Sequence, residues 1–533
     1  MALVALIAAG AIVFLASLPP RAERVDIPPE WRDFASRTVA GAYHVHSIRS
    51  DGSGDRAAIA AAAARAGLKF VIITDHGDAT RQPDRPAYID GVLCLDAVEI
   101  STDDGHYVAL DMPRAPYPLG GAAEAVVEDV GRLGGFGVVA HPDSPKPALR
   151  WTAGPLPVDG IEWLNADTEW RDETRLRLAR TALAYLVRPR EALAELLDRP
   201  ITLARWDHWS PSRPIVALAA ADAHGGIGRR MEDPGAGRGR IRIPSYEAAF
   251  RTFSNRVVLD RPLTGDAATD ARSVFAAIRA GHVFATIDAL ASPGLLDLRR
   301  EGTTIVARAL APAGAQLVMF HAGAEIARTG GSELRWESGG DRGPYRVEVH
   351  LPRAPGEPPV PWLVSNQLFT AVAAPKPPPV GFAVPWTGAL APPLAWRVEK
   401  DSSSSGTLQT TDAGVTLDYQ LGSDRTRSPY VAIVSDMHDQ AFGSIEAALT
   451  SKQPMRVSVQ VRAGENGRWG RSVYVDQSDR LVRVPLKAMR SLDGTAGPPP
   501  STFLTSVLVV IDLTNATPGS AGRLQIRSVQ FVQ

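Results

Sequence analysis

Apolar runs that stop at His, Asp or Glu are the feature that most constrains this chain. The first run is continuously apolar, as expected for a strand that is buried on both faces, and the arrangement repeats along the chain. Helix-compatible segments separate the runs, and strands that alternate with helices predict a parallel α/β fold. Ligand-type residues at the carboxyl ends of such strands lie where enzymes of this class build their sites. In chain order, the runs are Phe70–Thr74 before Asp75 and His76, Val92–Val98 before Glu99, Val138–Ala140 before His141, and Ile215–Ala221 before Asp222 and His224.

A histidine pair precedes these runs. His44 and His46 lie two residues apart, so on an extended segment their side chains point to the same side and can share one metal ion. Asp51 follows in a loop that can fold back over that ion. Alone, the pair fits two solvated or hydrogen-bonded histidines equally well. However, six of the chain's 11 histidines fall in these pieces, His106 among them, which favours a common metal site.

In this order and spacing, the pieces resemble the polymerase and histidinol phosphatase (PHP) family of metal-dependent phosphoesterases. The resemblance runs from about residue 40 to about residue 260. Ala97 stands where the family usually has glycine, and Ala220 and Ala221 replace the usual Gly-Ser before Asp-Ala-His. Neither change removes a ligand. The resemblance implies a distorted (β/α)7 TIM-like barrel.

The resemblance also implies a site for two or three divalent metal ions. It assigns His44, His46, Glu99 and Asp222 to one ion, Glu99, His106 and His141 to a second, and Asp51, His76 and His224 to a third. Imidazole and carboxylate ligands together suit Zn, Mn or Fe, and the order of affinities leaves the choice to metal supply. Asp75 precedes a ligand and is expected to orient an imidazole through its ring N–H. Glu162 and Asn165 either line the pocket or only hydrogen-bond the barrel.

Metal ions about 3.5–4 Å apart can hold a hydroxide between them and neutralise phosphate oxygens during in-line attack. Arginine suits phosphate because its N–H groups contact two oxygens at once. Arg49 and Arg229 are candidates, and each is also compatible with an ordinary solvated charge. His208 is expected to be a packing residue. The predicted catalytic residues are His44, His46, Glu99, Asp222, Arg49 and Arg229.

Length and charge narrow the classes of function. The chain has 533 residues, which exceeds a single usual core and predicts about three domains. Its formal net charge of -1 argues against a nucleic-acid partner and a polymerase-associated exonuclease, because a nucleic-acid binder is expected to carry a basic surface. Cys94 is the only cysteine, so an internal disulfide is excluded.

Residues 1–20 are expected to be a hydrophobic signal or anchor. Residues 2–18 carry no charge and reach the lower limit of length for a membrane-spanning helix. No basic residue precedes the run and Leu18 is followed by two prolines, which disfavours cleavage. Arg21 and Arg24 would place the body in the cytoplasm by the positive-inside rule, unless a start codon assigned too far downstream has removed basic residues. We predict membrane attachment, with a periplasmic or extracytoplasmic body favoured over the cytoplasmic face. A buried core helix is the alternative.

The remaining regions are predicted to be β-rich. Tyr345–Leu351 alternates apolar and polar residues, which is typical of a strand with one buried face. The last region loosely resembles galactose-binding-like and carbohydrate-binding modules, and Trp469 and Tyr474 are candidate sugar contacts or core aromatics. The predicted domains are a barrel over 35–262, a barrel extension with a small β-sandwich over 263–373, a Pro-rich linker over 374–384, and a jelly-roll β-sandwich over 385–533.

The leading hypothesis is a metal-dependent hydrolase that cleaves a phosphate mono- or diester with a metal-bridged hydroxide. The alternative is a membrane-tethered binding protein with an inactive PHP barrel and a carbohydrate-binding-like last domain. All nine ligand positions are filled, which counts against a decayed site. The sequence leaves the ester open, because phosphate esters of sugars, nucleotides and lipids suit the same ions.

Overall fold

The chain divides into two compact units, as seen in a computed structural model. The first unit comprises Met1–Gly77, Pro83–Pro113 and Gly134–Lys376, and the second comprises Asp78–Gln82, Arg114–Leu133 and Pro377–Gln533. The structure describes residues 14–226, 243–341, 343–370, 376, 383–385, 394–412, 414–437, 441–464, 467–478, 480–495 and 497–533.

The first unit contains both helices and strands. Its helices are α1 (Arg32–Ser36), α2 (Arg56–Arg65), α4 (Ala166–Arg171), α5 (Arg175–Tyr185), α6 (Pro189–Ala194), α7 (Thr202–Trp209), α8 (Tyr246–Thr252) and α9 (Ala267–Arg279), with α3 (Ala123–Arg132) in the second unit. Its first strands are β1 (Glu23–Arg24), β2 (Thr38–Val45), β3 (Phe70–Ile73), β4 (Ala87–Ile89), β5 (Val92–Asp96), β6 (Val98–Thr102), β7 (Gly105–Leu110), β8 (Phe136–Val139), β9 (Gly160–Asn165), β10 (Val216–Ala220), β11 (Ser254–Val258) and β12 (Val283–Thr286). They are followed by β13 (Ala291–Ser292), β14 (Leu295–Glu301), β15 (Thr304–Leu310), β16 (Gln316–His321), β17 (Ala324–Thr329), β18 (Glu333–Glu337), β19 (Pro344–His350), β20 (Leu363–Ser365) and β21 (Leu368–Phe369).

Two sheets carry the strands that were predicted to end in ligands. In one sheet, β2, β3 and β5 run parallel to one another, and in the other, β8, β9 and β10 do the same. Strands β6 and β7 join the second sheet in antiparallel order. Side chains of β3 and β8 are buried throughout, which agrees with the continuous apolar runs in the sequence.

Backbone hydrogen bonds connect these two sheets at both of their edges. At one edge, the Ala221 N–H donates to the Tyr43 carbonyl at 2.9 Å, and the His46 N–H donates to the Ala223 carbonyl at 3.0 Å. At the other edge, the Gly77 N–H donates to the Glu99 carbonyl at 3.0 Å. Both connections lie at strand ends that carry predicted ligands, so they fix where those side chains meet.

The region predicted to be a barrel extension is continuous with the first sheet. Strand β20 pairs with β12, which pairs with β11, which pairs with β2. Strands β16, β17, β19 and β21 extend the same sheet, whereas β14, β15 and β18 form a separate three-stranded sheet. The region predicted as a small sandwich therefore shares a hydrogen-bonded sheet with the preceding region.

The second unit contains two six-stranded sheets whose pairings are antiparallel. Apolar side chains from both sheets, including Leu417, Val459, Trp469 and Val509, form one buried core. Its strands are β22 (Ala383–Pro385), β23 (Trp396–Lys400), β24 (Ser405–Thr411), β25 (Gly414–Gln420), β26 (Tyr430–Asp436), β27 (Ser444–Ser451), β28 (Met455–Ala463), β29 (Gly467–Val475), β30 (Arg480–Pro485), β31 (Arg490–Ser491), β32 (Ser506–Asp512) and β33 (Ala521–Val532). The protein is thus a multidomain molecule of mixed α/β and β structure. The predicted domain boundaries remain predictions.

Helix α3 belongs to the second unit although the chain around it belongs to the first. The guanidinium of Arg456 is buried, and its Nε and Nη2 donate to the two carboxylate oxygens of Asp129 at 2.7 and 2.9 Å. Arg456 also pairs with Glu128 at 2.9 Å. These acids hold the pKa of Arg456 above its ordinary value, although burial alone would lower that pKa.

None of the helices that the structure describes combines the length and the apolar character that crossing a bilayer requires. Residues 1–13, most of the predicted hydrophobic segment, lie outside the described residues.

Replacing Arg456 by Met should lower the free energy of unfolding of the second unit by about 3 kcal/mol. The substitution removes the positive charge that pairs with the buried Asp129 and with Glu128. This value is at the lower end for a broken buried ion pair, since Arg132 also pairs with Asp129. Urea unfolding, followed by tryptophan fluorescence, measures the change. Arg523→Met removes a surface ion pair with Asp418 in the same unit and should change the midpoint little. Equal midpoints for the two variants would contradict a structural role for Arg456.

Candidate metal centre

Nine predicted ligands meet at one edge of the two sheets in the first unit. Five follow strands or end them: His44 and His46 at the end of β2, His76 after β3, His141 after β8, and Asp222 after β10. His106 begins β7, which runs antiparallel to its neighbours and so brings its amino-terminal end to the same edge. The other three are Asp51 in the loop after β2, Glu99 in β6, and His224 beyond Asp222.

The carboxylate of Glu99 lies at the centre of the cluster. Each of its oxygens faces a different group of imidazoles, and the side chain is only 1% exposed. This is the arrangement that a carboxylate bridging two cations requires. The nitrogen–oxygen distances are 2.8 Å from His106 Nδ1 and 2.9 Å from His141 Nε2 to Oε1, and 3.2 Å from His44 Nε2, 3.3 Å from His46 Nε2 and 3.1 Å from His76 Nδ1 to Oε2.

Asp51, His76 and His224 form the more exposed side of the cluster. The carboxylate of Asp51 lies 3.6 Å from His76 Nε2 and 3.4 Å from His224 Nε2. These three side chains are 34, 31 and 28% exposed, whereas those of His44 and Glu99 are almost fully buried. A molecule from solvent can therefore reach the cluster on this side.

Hydrogen bonds on the outer side of three imidazoles determine which ring nitrogen faces the centre of the cluster. Carbonyl and carboxylate oxygens only accept hydrogen bonds, so each imidazole nitrogen beside one must donate. His44 Nδ1–H donates to Glu162 Oε1 at 2.6 Å, His141 Nδ1–H to the Leu149 carbonyl at 3.0 Å, and His224 Nδ1–H to the Asp222 carbonyl at 2.9 Å. The opposite nitrogens, all Nε2, face carboxylates of the cluster, so each of them either carries a proton or shares a cation with a carboxylate.

The cluster has the composition and geometry to hold metal ions. His44 Nε2 and His46 Nε2 lie only 3.1 Å apart, and two lone pairs at that distance repel unless a cation or a proton lies between them. Within the part of the chain that the structure describes, Glu99 Oε2 and His76 Nδ1 are buried and make no hydrogen bond, although they lie 3.1 Å apart. Four groups of residues could each hold an ion: His44, Glu99 and His141; His44, His46 and Asp222; His46, His76 and Glu99; and His46, Asp51 and His224.

The electrostatics also favour a cation. Burial lowers the pKa of His46, but hydrogen bonds to Asp222 and Glu99 outweigh burial and raise that pKa to about 10. Burial raises the pKa of Glu99, and His44 with the other surrounding imidazoles reverses this and holds it well below its ordinary value. Protons on the histidines can therefore supply the positive charge that a metal ion would otherwise bring.

Backbone geometry at the cluster is unusual. His44, His141 and Asp222 have positive φ angles of 62°, 28° and 41°. Non-glycine residues rarely adopt this conformation, and such strain concentrates at functional sites. At Gly52 a Cβ atom would lie 2.1 Å from the His46 carbonyl oxygen, so only glycine allows the loop that carries Asp51 to turn back.

Asp75 acts differently from the prediction. It was expected to orient an imidazole, but its carboxylate accepts hydrogen bonds from the Ser47 N–H at 2.7 Å and from the Ser47 and Ser50 hydroxyls at 2.6 and 2.7 Å. It therefore holds the loop between His46 and Asp51. The sequence shows that Asp75 precedes a ligand, but it does not show that this loop lies against it.

Glu162 performs the orienting role instead. Besides the bond from His44, its other carboxylate oxygen accepts from the His141 N–H at 2.7 Å and from the Asn165 amide at 2.8 Å. Asn165 also donates to Asp222 Oδ2 at 3.3 Å. Of the two alternatives left open for Glu162 and Asn165, the structure places them against ligands.

Tyr246 is a contributor that the sequence did not indicate. Its hydroxyl donates to the His46 carbonyl at 2.7 Å and accepts from the Ser53 and Gly54 N–H groups at 3.1 and 3.2 Å. It thereby closes the loop that carries Asp51. No local sequence signal marks this tyrosine, because its partners lie about two hundred residues earlier in the chain.

The predicted phosphate contacts are less well placed. The guanidinium of Arg49 pairs with Asp84 at 2.7 Å and lies 4.0 Å from Asp96. Arg229 lies outside the described residues.

His208 is exposed on α7 and does not pack as expected. Trp469, a candidate sugar contact, is buried in the core of the second unit, and the Arg132 guanidinium covers the ring of Tyr474 at 3.4 Å.

No family model and no curated protein matches the chain. Among solved structures, a two-domain protein from Bacteroides vulgatus containing a predicted PHP-like metal-dependent phosphoesterase is similar over 65% of this chain and 99% of its own, with 13% identity and a TM-score of 0.29. A family 11 carbohydrate-binding module from Clostridium thermocellum, in complex with a β-1,3-1,4-linked tetrasaccharide, is similar over 26% of this chain and 88% of its own, with 12% identity and a TM-score of 0.20. Similarity at this level supports no inference, so the family assignment remains a prediction.

Glu162→Gln should lower metal affinity by about 10–100-fold, the usual cost of losing an outer partner of a ligand. Glutamine keeps the size and can still accept from His44, but it removes the charge that strengthens this imidazole as a ligand. Isothermal titration of metal-depleted protein with Zn²⁺ or Mn²⁺ measures the change. His208→Ala is the control and should bind like the wild type. Unchanged affinity in Glu162→Gln would contradict this role for Glu162.

Metal-depleted protein should lose stability as the pH rises from about 6.5 towards 10. The pKa of His46 is raised from 6.5 to about 10 in the folded chain, so its stabilising effect is complete below 6.5 and disappears as the proton leaves near 10. Thermal unfolding from pH 6 to 10, with chelator and with added Zn²⁺, tests this expectation. The metal-loaded protein should show a smaller loss, since an ion replaces the proton. Parallel pH profiles with and without metal would contradict it.

Proposed function

We propose that this protein is a metal-dependent hydrolase of phosphate esters, with the cluster around Glu99 as its catalytic centre. The observation that carries the proposal is the convergence of six histidines and three carboxylates on one small volume, with Nε2 of three histidines held towards the centre by hydrogen bonds from Nδ1. The same residues form the ordered motifs that resemble the PHP family. The finer assignments, a distorted (β/α)7 PHP barrel and a jelly-roll last domain, belong to this proposal.

The residues present fit two or three divalent ions. His44, His46 and Asp222 would hold one, His106 and His141 a second, and Asp51, His76 and His224 a third, with Glu99 bridging the first two. Divalent ions bound there would supply Lewis acidity and lower the pKa of water. Zn, Mn and Fe all suit this ligand set.

The protein's own residues position the substrate and limit the access of water. The buried His44, Glu99 and His141 form the closed side of the cluster. The partly exposed Asp51, His76 and His224 form the open side, so a phosphate group enters past them. A terminal phosphate fits an opening of this kind, because the rest of the ester can remain outside.

Two arginines are candidates for the positive charge that would contact the free phosphate oxygens. Arg49 is 44% exposed and pairs with Asp84, so it could serve only after breaking that pair. Arg229 is the second candidate from the sequence. Each arginine is replaced by Met in turn, and the one that contacts the phosphate is the one whose loss raises the KM for a phosphate ester while metal content stays that of the wild type.

Glu99→Gln should lower metal content and abolish hydrolysis of an aryl phosphate or phosphodiester. Glutamine keeps the size of the side chain but removes the charge that faces five imidazoles. Metal stoichiometry and turnover are measured together on purified protein. Asp75→Asn should retain metal and measurable activity, and His208→Ala should be nearly silent.

Normal metal content and turnover in Glu99→Gln would contradict this placement of the site. Metal-replete wild type without hydrolysis across a broad panel of phosphate esters would instead favour the alternative, a tethered binding protein with an inactive barrel. Membrane attachment through the amino-terminal segment, an exported location and carbohydrate binding by the last domain remain proposals.

A further inference from the structure

Helix α5 in the first unit exposes its apolar side chains to solvent. Leu176 is 62% exposed, Leu183 56%, Leu186 74% and Val187 50%. The side chains that α5 buries include Thr181 and Tyr185. A surface helix of a globular protein normally buries its apolar stripe and exposes its polar one. On the side that carries Leu176 and Leu183, this helix instead exposes apolar residues to solvent.

The exposed residues share one face. Leu176, Ala179 and Leu183 are spaced by three and four residues, which places them on one line of α5, and all three are exposed. Leu186 and Val187 are exposed in the turn directly after the helix. We call Leu176, Ala179, Leu183, Leu186 and Val187 the outer face of α5. Contiguous exposed apolar residues of this kind usually mark a contact with another surface.

Positive charge borders the outer face. Residues 174–190 contain five arginines and no acidic residue. Arg175 and Arg180 are exposed beside the leucines, and neither makes an ion pair within the described residues. An apolar helix face bordered by arginines is typical of a helix that lies in a membrane interface. Such a face is attracted to anionic lipids.

The amino-terminal chain meets the body beside this helix. The Arg188 guanidinium, just after α5, donates a hydrogen bond to the Pro19 carbonyl. Leu18 is buried, with 9% of its surface exposed. Pro19, which directly follows the uncharged residues 2–18 in the sequence, therefore lies next to the carboxyl end of α5.

We propose that the outer face of α5 lies in the interface of an anionic lipid bilayer and holds the body against the membrane. This contact is separate from any anchoring by residues 2–18 and independent of the proposed hydrolase activity. A second copy of the chain is a poorer occupant. A symmetric pair uses the same patch on both subunits and would bring Arg175 and Arg180 of each copy close to those of the other.

A single fluorescent label distinguishes this contact from anchoring by the amino terminus. Cys94 is the only cysteine and is buried, so Leu183→Cys can be labelled selectively in the folded full-length protein. An environment-sensitive label at position 183 should shift to the blue on vesicles of phosphatidylcholine with phosphatidylglycerol. Lipids brominated on their acyl chains should quench it. The matched control is Leu492→Cys, at an exposed apolar position of the second unit, whose label should not respond.

The arginines provide the second arm of the test. In the labelled Leu183→Cys chain, Arg175→Gln and Arg180→Gln should each lower the vesicle affinity reported by the label about fivefold, since each basic residue near an anionic surface contributes about 1 kcal/mol. The label should respond less to vesicles of phosphatidylcholine alone. Binding of the protein to vesicles without a change at position 183 would show anchoring by the amino terminus only and would overturn the proposal. A blue shift that depends on protein concentration without lipid would also overturn it, in favour of a second copy.

Discussion

The balance of charge around Glu99 is the interaction on which the first unit depends. A buried carboxylate is unfavourable unless positive or hydrogen-bonding groups surround it. Here five imidazoles from strand ends far apart in the chain surround both of its oxygens. Bringing these side chains together requires the two sheets to meet at their carboxyl-end edge. The two sheets are held together there by backbone hydrogen bonds from Ala221 to Tyr43 and from Gly77 to Glu99.

A surrounding layer of side chains converts this cluster into a defined set of ligands. Glu162 fixes the proton of His44 on Nδ1, and the Leu149 carbonyl does the same for His141. Asp75 and Tyr246 hold the loop that carries Asp51 from opposite ends. Geometry set in this way directs the Nε2 atoms of His44 and His141 towards the centre, where each can bind a metal ion once its proton has left. The partial exposure of Asp51 then leaves one side open.

Helices α3 and α5 show that the sequence of a helix does not specify what its side chains contact. Helix α3 has a regular apolar face, but its place in the second unit depends on Arg456, which lies more than three hundred residues later. Helix α5 has the opposite character, since its leucines face solvent and its arginines lie beside them. The sequence of each helix is compatible with helical structure. It does not specify what covers the apolar side, because that surface comes from elsewhere in the fold or from outside the chain.

The sequence by itself determined the buried strands that lead to His76, His141 and Asp222, because strands buried on both faces consist of apolar runs. The run predicted to end at Glu99 is instead divided between β5 and β6, and Glu99 lies inside β6. The sequence also determined the ligand candidates, since their residue types and spacing are visible without a fold. The tertiary structure decided that Glu162 orients His44 while Asp75 holds a loop, that Tyr246 contributes, and that Trp469 is buried. It also decided that the barrel extension continues the sheet of β2 through β11 and β12. Each of these depends on partners distant in sequence, which only strand order and register bring within hydrogen-bonding distance.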